Sequence, residues 1–527
     1  VLTHNIPNAD IMTCLISLIL LIISAVLCHS TFIGGLKPLI AFKGNSDTAV
    51  AVAVVGCLAQ GVVSFFEPQA FFSGGMHLYA ILAIAALLFN NLGKLCIVRR
   101  IKDNFRFVSS PNRKYAARIY ENEEVSQQMI DKTNAEKPVV ALQSRTRFLK
   151  GFLKFSYMPD PSERAASFMA PLTTVIAVLV AIICGISSGT VGSAVSAFSI
   201  VACMGIPMCS LLAVNIPMRK LCQDSLKNRA MIIGYPAVKT FSETRAVMVD
   251  SRELYPRGKV QLLSVKTFNT YNIDKALLNA AAVMKIANTP MTYMFEDVIS
   301  EKGEQLPEVE SVKYEDGNGL VSWVGGERLL LGNRELMKKY SINLPSVDFE
   351  ESSVESRSNC ITYLANAGQL VAMLVTDYQA DKRLAAELKR LEKNGVTILI
   401  RTADPNVSQL KVAKDFGVFI RSIKILPTTL GNICKDEMSR REESSRAFIS
   451  TEGKLHSLAR AISGCIKIRD NIMIAIVIQV IAVALGVLIA AAVSVFSGLN
   501  GLHGLDLLLY VIFWAAASII APLIQKA

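Results

Sequence analysis

The sequence predicts a polytopic α-helical membrane protein carrying a cytosolic α/β domain, with a smaller α+β domain inserted into it. Three observations lead there. Of 527 residues, 52% are hydrophobic and the mean hydropathy is +0.40, too apolar for a soluble enzyme of this size, yet 19% are charged. Seven apolar stretches are each long enough to cross a bilayer. Between residues 216 and 470, strand-like runs alternate with an amphipathic helix, the pattern of a doubly wound sheet.

The expected spans cover residues 11–30, 48–66, 77–98, 166–188, 193–215, 471–495 and 506–524. The first has no basic n-region and no clear cleavage site, so it reads as a span and not a signal peptide. The net charge is +12, and residues 99–164 alone hold 14 Lys/Arg against 8 Asp/Glu. Loops 67–76 and 496–505 and the turn near Gly189 contain no Lys or Arg, whereas loop 31–47 carries Lys37 and Lys43, and loops 99–165 and 216–470 are rich in both. The positive-inside rule puts the basic loops in the cytoplasm and the N-terminus outside. The expected setting is therefore an integral protein of the plasma membrane. Its partner is the lipid bilayer, whose anionic headgroups suit the basic loop; a protein partner is left open. Nucleic acid is not an expected partner, because few aromatics interleave the basic residues. The 11 cysteines are scattered, without a Cys-x-x-Cys, and read as reduced, buried thiols.

In order, the expected regions are three spans in 1–98, a short basic cytosolic loop in 99–165, two spans in 166–215, a linker and the start of the α/β domain in 216–264, the inserted domain in 265–345, the rest of the α/β domain in 346–470, and two spans in 471–527. A strand Ala246–Val249 ends at Asp250. A helix over Asp381–Lys393 sets Leu384, Leu388 and Leu391 on one face and stops at Gly395. The buried-strand run Val396–Ile400 then leads to Arg401-Thr402-Ala403-Asp404. Acidic residues at the carboxyl ends of strands are where such sheets place active sites. The insert shows a helix over Ile273–Ile286, then short strand-like runs with Gly-rich turns at Asp316-Gly317-Asn318-Gly319, Gly325-Gly326 and Gly332-Asn333.

With those segments in place, the chain resembles the heavy-metal-transporting P-type ATPases over some 480 residues. Asn45-Ser46-Asp47-Thr48 is similar to the family's Asn-Met-Asp-Thr. Lys227-Asn228 before Ile232-Ile233-Gly234 resembles the linker after its fourth core helix, and Thr402-Ala403-Asp404 its Thr-Gly-Asp. Asp316-Gly317-Asn318-Gly319 and Leu331-Gly332-Asn333-Arg334 resemble its nucleotide-binding turn and its Val-Gly-Asn-Arg strand. The resemblance implies a haloacid-dehalogenase-like phosphorylation domain, ATP and Mg²⁺ as cofactors, Asp250, Thr402 and Asp404 as catalytic positions, and Gly317, Gly319 and Asn333 as nucleotide-binding positions. The family's eight-span plan would put another helix before residue 11. This chain is expected to lack it, together with an N-terminal metal-binding module.

The chemistry is eroded. The family's Asp-Lys-Thr-Gly-Thr becomes Asp250-Ser251-Arg252-Glu253-Leu254. Aspartyl phosphorylation needs Mg²⁺ on carboxylates and cations for the developing charge. No Gly-Asp-Gly-x-Asn-Asp occurs; the nearest segment is Phe448–Gly453, with Glu452. The lysine expected after Leu426-Pro427 is replaced by Leu430, the adenine-contacting histidine by Thr289, and its upstream acidic residue by Met284. The actuator domain's Thr-Gly-Glu is absent, and the loop 99–165 stands in that domain's place. Losing a single charge-stabilising donor costs about 10²–10³ in rate. Arg252 and Arg257 are candidates to pair with Asp250 and fill the Mg²⁺ site by charge. The plain alternatives for Asp250 and Asp404 are helix caps or solvated strand ends, and for Gly317 and Gly319 ordinary turn glycines.

In the fifth span, Ala202-Cys203-Met204-Gly205-Ile206-Pro207-Met208-Cys209 aligns Pro207 with the proline of the family's Cys-Pro-Cys. Two readings stand. Cys203, Met204, Met208 and Cys209 hold a Cu(I)-like soft metal, for which thiolate and thioether ligands are selective, or they pack around a proline kink. Gln479 stands at the family's Tyr-Asn position, either as a helix–helix hydrogen-bond partner or as a relic of the ion path. His29, His77, His456 and His503 look dispersed. The expected function is a degenerate P-type ATPase-like membrane protein that does not pump and acts as a regulator, scaffold or sensor. The alternative is an active soft-metal pump phosphorylated at Asp250.

Overall fold

The computed structural model describes residues 9–40, 43–67, 71, 76–133, 135, 137–268, 273–296, 305–354, 356 and 359–524. The N-terminal residues 1–8, most of the loop 67–76, and stretches 269–272 and 297–304 of the insert lie outside the described residues.

Among the described residues, five helices are long and apolar enough to span a membrane: Ser46–Phe66, Ala80–Val108, Pro161–Ser188, Leu455–Ser497 and Gly504–Ala521. The other two expected spans are not continuous helices. The first is bent by 81° between Ile11–Leu27 and His29–Leu39. The fifth is split into Val191–Met204 and Ser210–Lys227, because Pro207 supplies no N–H and its ring opposes a further helical turn. Helix Ser46–Phe66 opens with a reciprocal cap, in which Asn45 Oδ1 accepts from the Thr48 amide and Thr48 Oγ1 accepts from the Asn45 amide. Two spans run on beyond the apolar segments. The last long helix begins at Leu455, and its first turns pack Leu455, Leu458, Ile462 and Cys465 into the core of the soluble part. The chain is an integral membrane protein whose sheets stand outside the helical bundle on the cytosolic side.

The main sheet has eight strands. Strands β1 (Lys114–Ile119), β2 (Val140–Leu149), β3 (Ala230–Ile232), β4 (Ala246–Asp250), β11 (Thr397–Arg401), β12 (Ile423–Ile425) and β14 (Ile449–Thr451) lie in the order β12-β11-β4-β2-β1-β14-β3, with β13 (Arg441–Ser445) paired to β2. Strands β12, β11 and β4 are parallel neighbours, and every residue of β4 and β11 is buried, as continuous apolar runs require. The segment 99–165, expected to be a loop, contributes β1 and β2 to the middle of this sheet. Several of its residues, among them Ala116, Ala141 and Leu142, are buried, while Arg118, Arg145 and Arg147 interrupt the apolar pattern.

The inserted domain is a six-stranded antiparallel sheet of β5 (Val260–Thr267), β6 (Val309–Glu315), β7 (Gly319–Val324), β8 (Glu327–Gly332), β9 (Cys360–Asn366) and β10 (Gln369–Tyr378), in the order β5-β10-β9-β8-β7-β6. It is larger than the expected 265–345. Residues 360–378 form its β9–β10 hairpin, turning at Ala367-Gly368 with both residues at positive φ, and do not belong to the main sheet. Helix Ile273–Ala287 packs against this sheet and leads back towards β4.

Candidate functional site

Asp250 is the last residue of β4 and caps the four-residue helix Ser251–Leu254. Both of its carboxylate oxygens are engaged. Oδ1 accepts from the Arg252 amide at 2.9 Å and from Arg252 Nε at 3.2 Å, and Oδ2 accepts from Arg401 Nη1 at 3.0 Å. The second cation is therefore Arg401 at the end of the neighbouring strand, and not Arg257. Each guanidinium also reaches the inserted domain: Arg252 Nη1 donates to Asn288 Oδ1 at 2.6 Å, and Arg401 Nη2 to the Ala287 carbonyl at 3.4 Å. Ala287 and Asn288 immediately precede Thr289, which stands where the resemblance expects the adenine-contacting histidine.

Glu253, which the sequence reading passed over, completes the cap. Its Oε2 accepts from the Asp250 amide and its Oε1 from Gln143 Nε2 of β2. Burial, and then the charge of Asp250, push its carboxyl up to about 7. Glu452, the nearest sequence candidate for a metal carboxylate, is turned away, pairing with Arg229 at 2.9 Å and accepting from Asn112. Two strands, β2 and β1, separate its segment from β4. Mg²⁺ requires carboxylate oxygens with free lone pairs. Asp250 already accepts three hydrogen bonds from two arginines, and Glu253 is held by Gln143 and the Asp250 amide, so an added cation would face Arg252 and Arg401 and the residues around Asp250 do not fit the ion.

Thr402 and Asp404 follow β11 and face elsewhere. Thr402 Oγ1 accepts from the Asp404 amide, while Asp404 accepts from the Tyr378 hydroxyl at 2.7 Å and from the Asn406 amide at 3.0 Å. Burial raises the Asp404 carboxyl to about 6 against those two hydrogen bonds, which lower it. Asn406 Nδ2 reaches Thr362 of β9 at 2.7 Å. This cluster holds the two sheets together.

Gly317, Gly319 and Asn333 are brought into one turn. Asn333 caps helix Arg334–Lys339 through its Oδ1, and its Nδ2 donates to the Gly317 carbonyl at 3.0 Å. Gly319 has φ +139, and a Cβ there would overlap the Leu331 carbonyl. Neighbouring Asp316 accepts from both the amide and the hydroxyl of Thr428, which anchors the turn to the main domain.

In the membrane, Cys203, Met204, Met208 and Cys209 line one cavity of about 20 Å³, the room of a single water-sized particle. Cys57 of helix Ser46–Phe66 adds a fifth sulfur, with its Sγ 3.6 Å from that of Cys203. Only tertiary packing reveals this neighbour, since the two lie 146 residues apart. Gln479 accepts from the Cys209 amide and donates to Ser518 Oγ. Among the described residues, no group of three or more His, Cys, Asp or Glu side chains is gathered as for a metal ion. Asp47 is paired to Lys94 at 2.7 Å and accepts from Asn90 at 2.6 Å. His77 and His503, which looked dispersed, meet with ring centroids 4.2 Å apart and planes tilted by 45°.

No family model matches the chain. It is 21% identical over 191 residues to a copper-transporting P-type ATPase of Rhizobium leguminosarum bv. viciae, covering 36% of this chain and 23% of that protein. It is 22% identical over 197 residues to a silver-exporting P-type ATPase of Salmonella typhimurium, covering 37% and 24%, and 22% identical over 184 residues to a copper-exporting P-type ATPase of Bacillus subtilis, covering 34% and 23%. The matches thus span about a quarter of the length of these curated relatives. Among solved structures, a zinc-transporting PIB-type ATPase in its E2.Pi state overlays with a TM-score of 0.40 at 14% identity, covering 97% of this chain and 95% of that one. The chain is, by sequence, a relative of the heavy-metal P-type ATPases.

Proposed function

We propose that this protein is a P-type ATPase-like membrane protein that has given up ATP-driven pumping and serves as a regulatory, scaffolding or sensing partner. One observation carries the reading: the carboxylate that would be phosphorylated is held on both oxygens by Arg252 and Arg401. Attack on a phosphoryl group needs a free carboxylate lone pair and a cation that bridges it to the phosphate. The two guanidinium groups hold Asp250 on both oxygens, so a bridging metal ion would have to displace or face two cations there. The absence of Thr-Gly-Glu from the sequence removes the usual means of hydrolysing a phosphoenzyme.

The test is acid-stable ³²P labelling from γ-labelled ATP, with Asp250→Asn as control. The expected result is no incorporation above that control, and no vanadate-sensitive ATP hydrolysis with Cu(I), Ag(I) or Zn²⁺. Label that disappears in Asp250→Asn overturns the proposal.

A second reading has its own support. The sulfurs of Cys57, Cys203, Met204, Met208 and Cys209 gather where the helix breaks at Pro207, and the relatives are named as copper and silver transporters. In that reading the protein pumps a soft metal cation through an aspartyl-phosphate at Asp250, and the same labelling experiment separates the two.

A further inference from the structure

A second cavity, of about 480 Å³, opens beside Asp250 on the side formed by the segment 99–165 and β13. Five cationic residues line it: Arg113, Arg145, Arg252, Lys435 and Arg441. Its two carboxylates are already engaged. Asp250 is held by Arg252 and Arg401, and Glu253 by Gln143 and the Asp250 amide. Among the described residues, the side chains of Arg113, Arg145, Lys435 and Arg441 enter no ion pair. Of the nearby acids, Arg118 takes Glu437 and Glu442, while Glu443 lines an adjoining cavity with Arg113, Arg145 and Arg441 but forms no ion pair with them.

The strand register makes this costly. Arg145 of β2 and Arg441 of β13 are direct cross-strand partners on parallel neighbours, so their side chains leave the sheet on the same face. Like charges directly opposite one another destabilise a sheet. Arg113, just before β1, lines the same space, beside the Tyr115↔Arg145 pair of β1 and β2. Four cations outside any ion pair, around one concave space, focus a positive potential that favours a multivalent anion. Guanidinium groups in particular match phosphoryl oxygens through paired N–H donors. The volume is that of a small-molecule site, whereas a nucleic acid needs an extended surface.

We propose that this cavity binds a small anion bearing two or more phosphoryl groups, held by Arg113, Arg145, Lys435 and Arg441 without a metal ion. The ligand is either a soluble oligophosphate or the multiply phosphorylated headgroup of a membrane lipid. The inference goes beyond the proposed function and needs no phosphoryl transfer, so ³²P labelling of Asp250 and the binding measurement below stand or fall separately.

The experiment uses the full chain in nanodiscs of neutral lipid with EDTA present. In one arm, sodium tripolyphosphate is titrated calorimetrically; in the other, binding is scored to vesicles with and without a phosphatidylinositol bisphosphate. Saturable binding in either arm is expected, weakened at least about tenfold by the pair Arg145→Gln and Arg441→Gln, which removes two charge-assisted contacts. The exposed Lys393→Gln, remote from the cavity, leaves it unchanged. Binding in the first arm identifies a soluble ligand, and binding confined to the second a lipid headgroup. A fold-independent readout accompanies them: Arg441→Gln alone raises the melting temperature of the unliganded protein, because it relieves the opposed pair. Absence of binding in both arms, binding unaffected by the double substitution, or a lowered melting temperature in Arg441→Gln overturns the proposal.

Discussion

Asp250 and Arg401 are registered partners at the carboxyl ends of two parallel strands, and their side chains close into an ion pair at 3.0 Å with exposures of only 10% and 5%. A buried pair of this kind adds little compared with apolar packing, but removing one partner strands the other charge. Arg401→Leu leaves Asp250 with Arg252 as its remaining cation and is expected to destabilise the soluble part by about 1–3 kcal/mol. Adding Asp250→Asn to it should recover a large part of that loss. Chemical denaturation of the wild type, the two single variants and the double variant, read as a thermodynamic cycle, checks this; strictly additive losses would contradict the pairing.

Glu253 gives the stability a pH dependence of definite sign. Its carboxyl ordinarily ionises near 4.5 and is pushed up to about 7 in the fold. Its contribution is complete below pH 4.5 and is lost as pH rises through 7, because the unfolded chain ionises first. Glu253→Gln should flatten the melting temperature between those limits and stabilise the protein by roughly 1–3 kcal/mol at pH 8. A variant less stable than wild type at pH 8 would contradict the assignment.

The two turn glycines should behave differently. A Cβ at Gly317 meets open space, although its φ is +74, whereas one at Gly319 overlaps the Leu331 carbonyl. Gly317→Ala should cost about 1 kcal/mol, and Gly319→Ala distinctly more, since strain and steric overlap add. Trp323 on β7 reports unfolding of the inserted domain by fluorescence.

Asp316→Ala should loosen the inserted domain without unfolding it, because the Thr428 amide and hydroxyl lose their shared acceptor, Asp316 Oδ1. Hydrogen exchange of the amides at the start of helix Thr428–Ser439 is expected to rise, with the β4 and β11 amides unchanged. Unaltered exchange at Thr428 would show that the contact does not hold the domains.

Much of the main sheet is legible in the sequence. Ala246–Asp250 and Thr397–Arg401 are unbroken apolar runs ending in charge, which only a strand buried on both faces explains. Leu384, Leu388 and Leu391 mark their helix by spacing alone, and all three are buried. The 99–165 strands are hidden because charged residues interrupt β1 and β2, and β13, Arg441-Glu442-Glu443-Ser444-Ser445, has no apolar pattern at all. Arg252 could be suggested as Asp250's partner because it is two residues away, while Arg401 depends on strand register, which local sequence does not encode. Cys57 beside Cys203 and His77 beside His503 are likewise products of helix packing.

The reach of Arg252 and Arg401 beyond Asp250 to Asn288 and Ala287 has a thermodynamic corollary. Swinging the insert away from the main sheet strips those guanidinium groups of their far acceptors and frees them to leave the aspartate. Hinge opening and unmasking of the carboxylate are thus reciprocal events, each favouring the other by the same factor. A protein that grips the insert from outside would register in the charge environment of Asp250, and substitutions at Asp250 would alter how readily that grip forms.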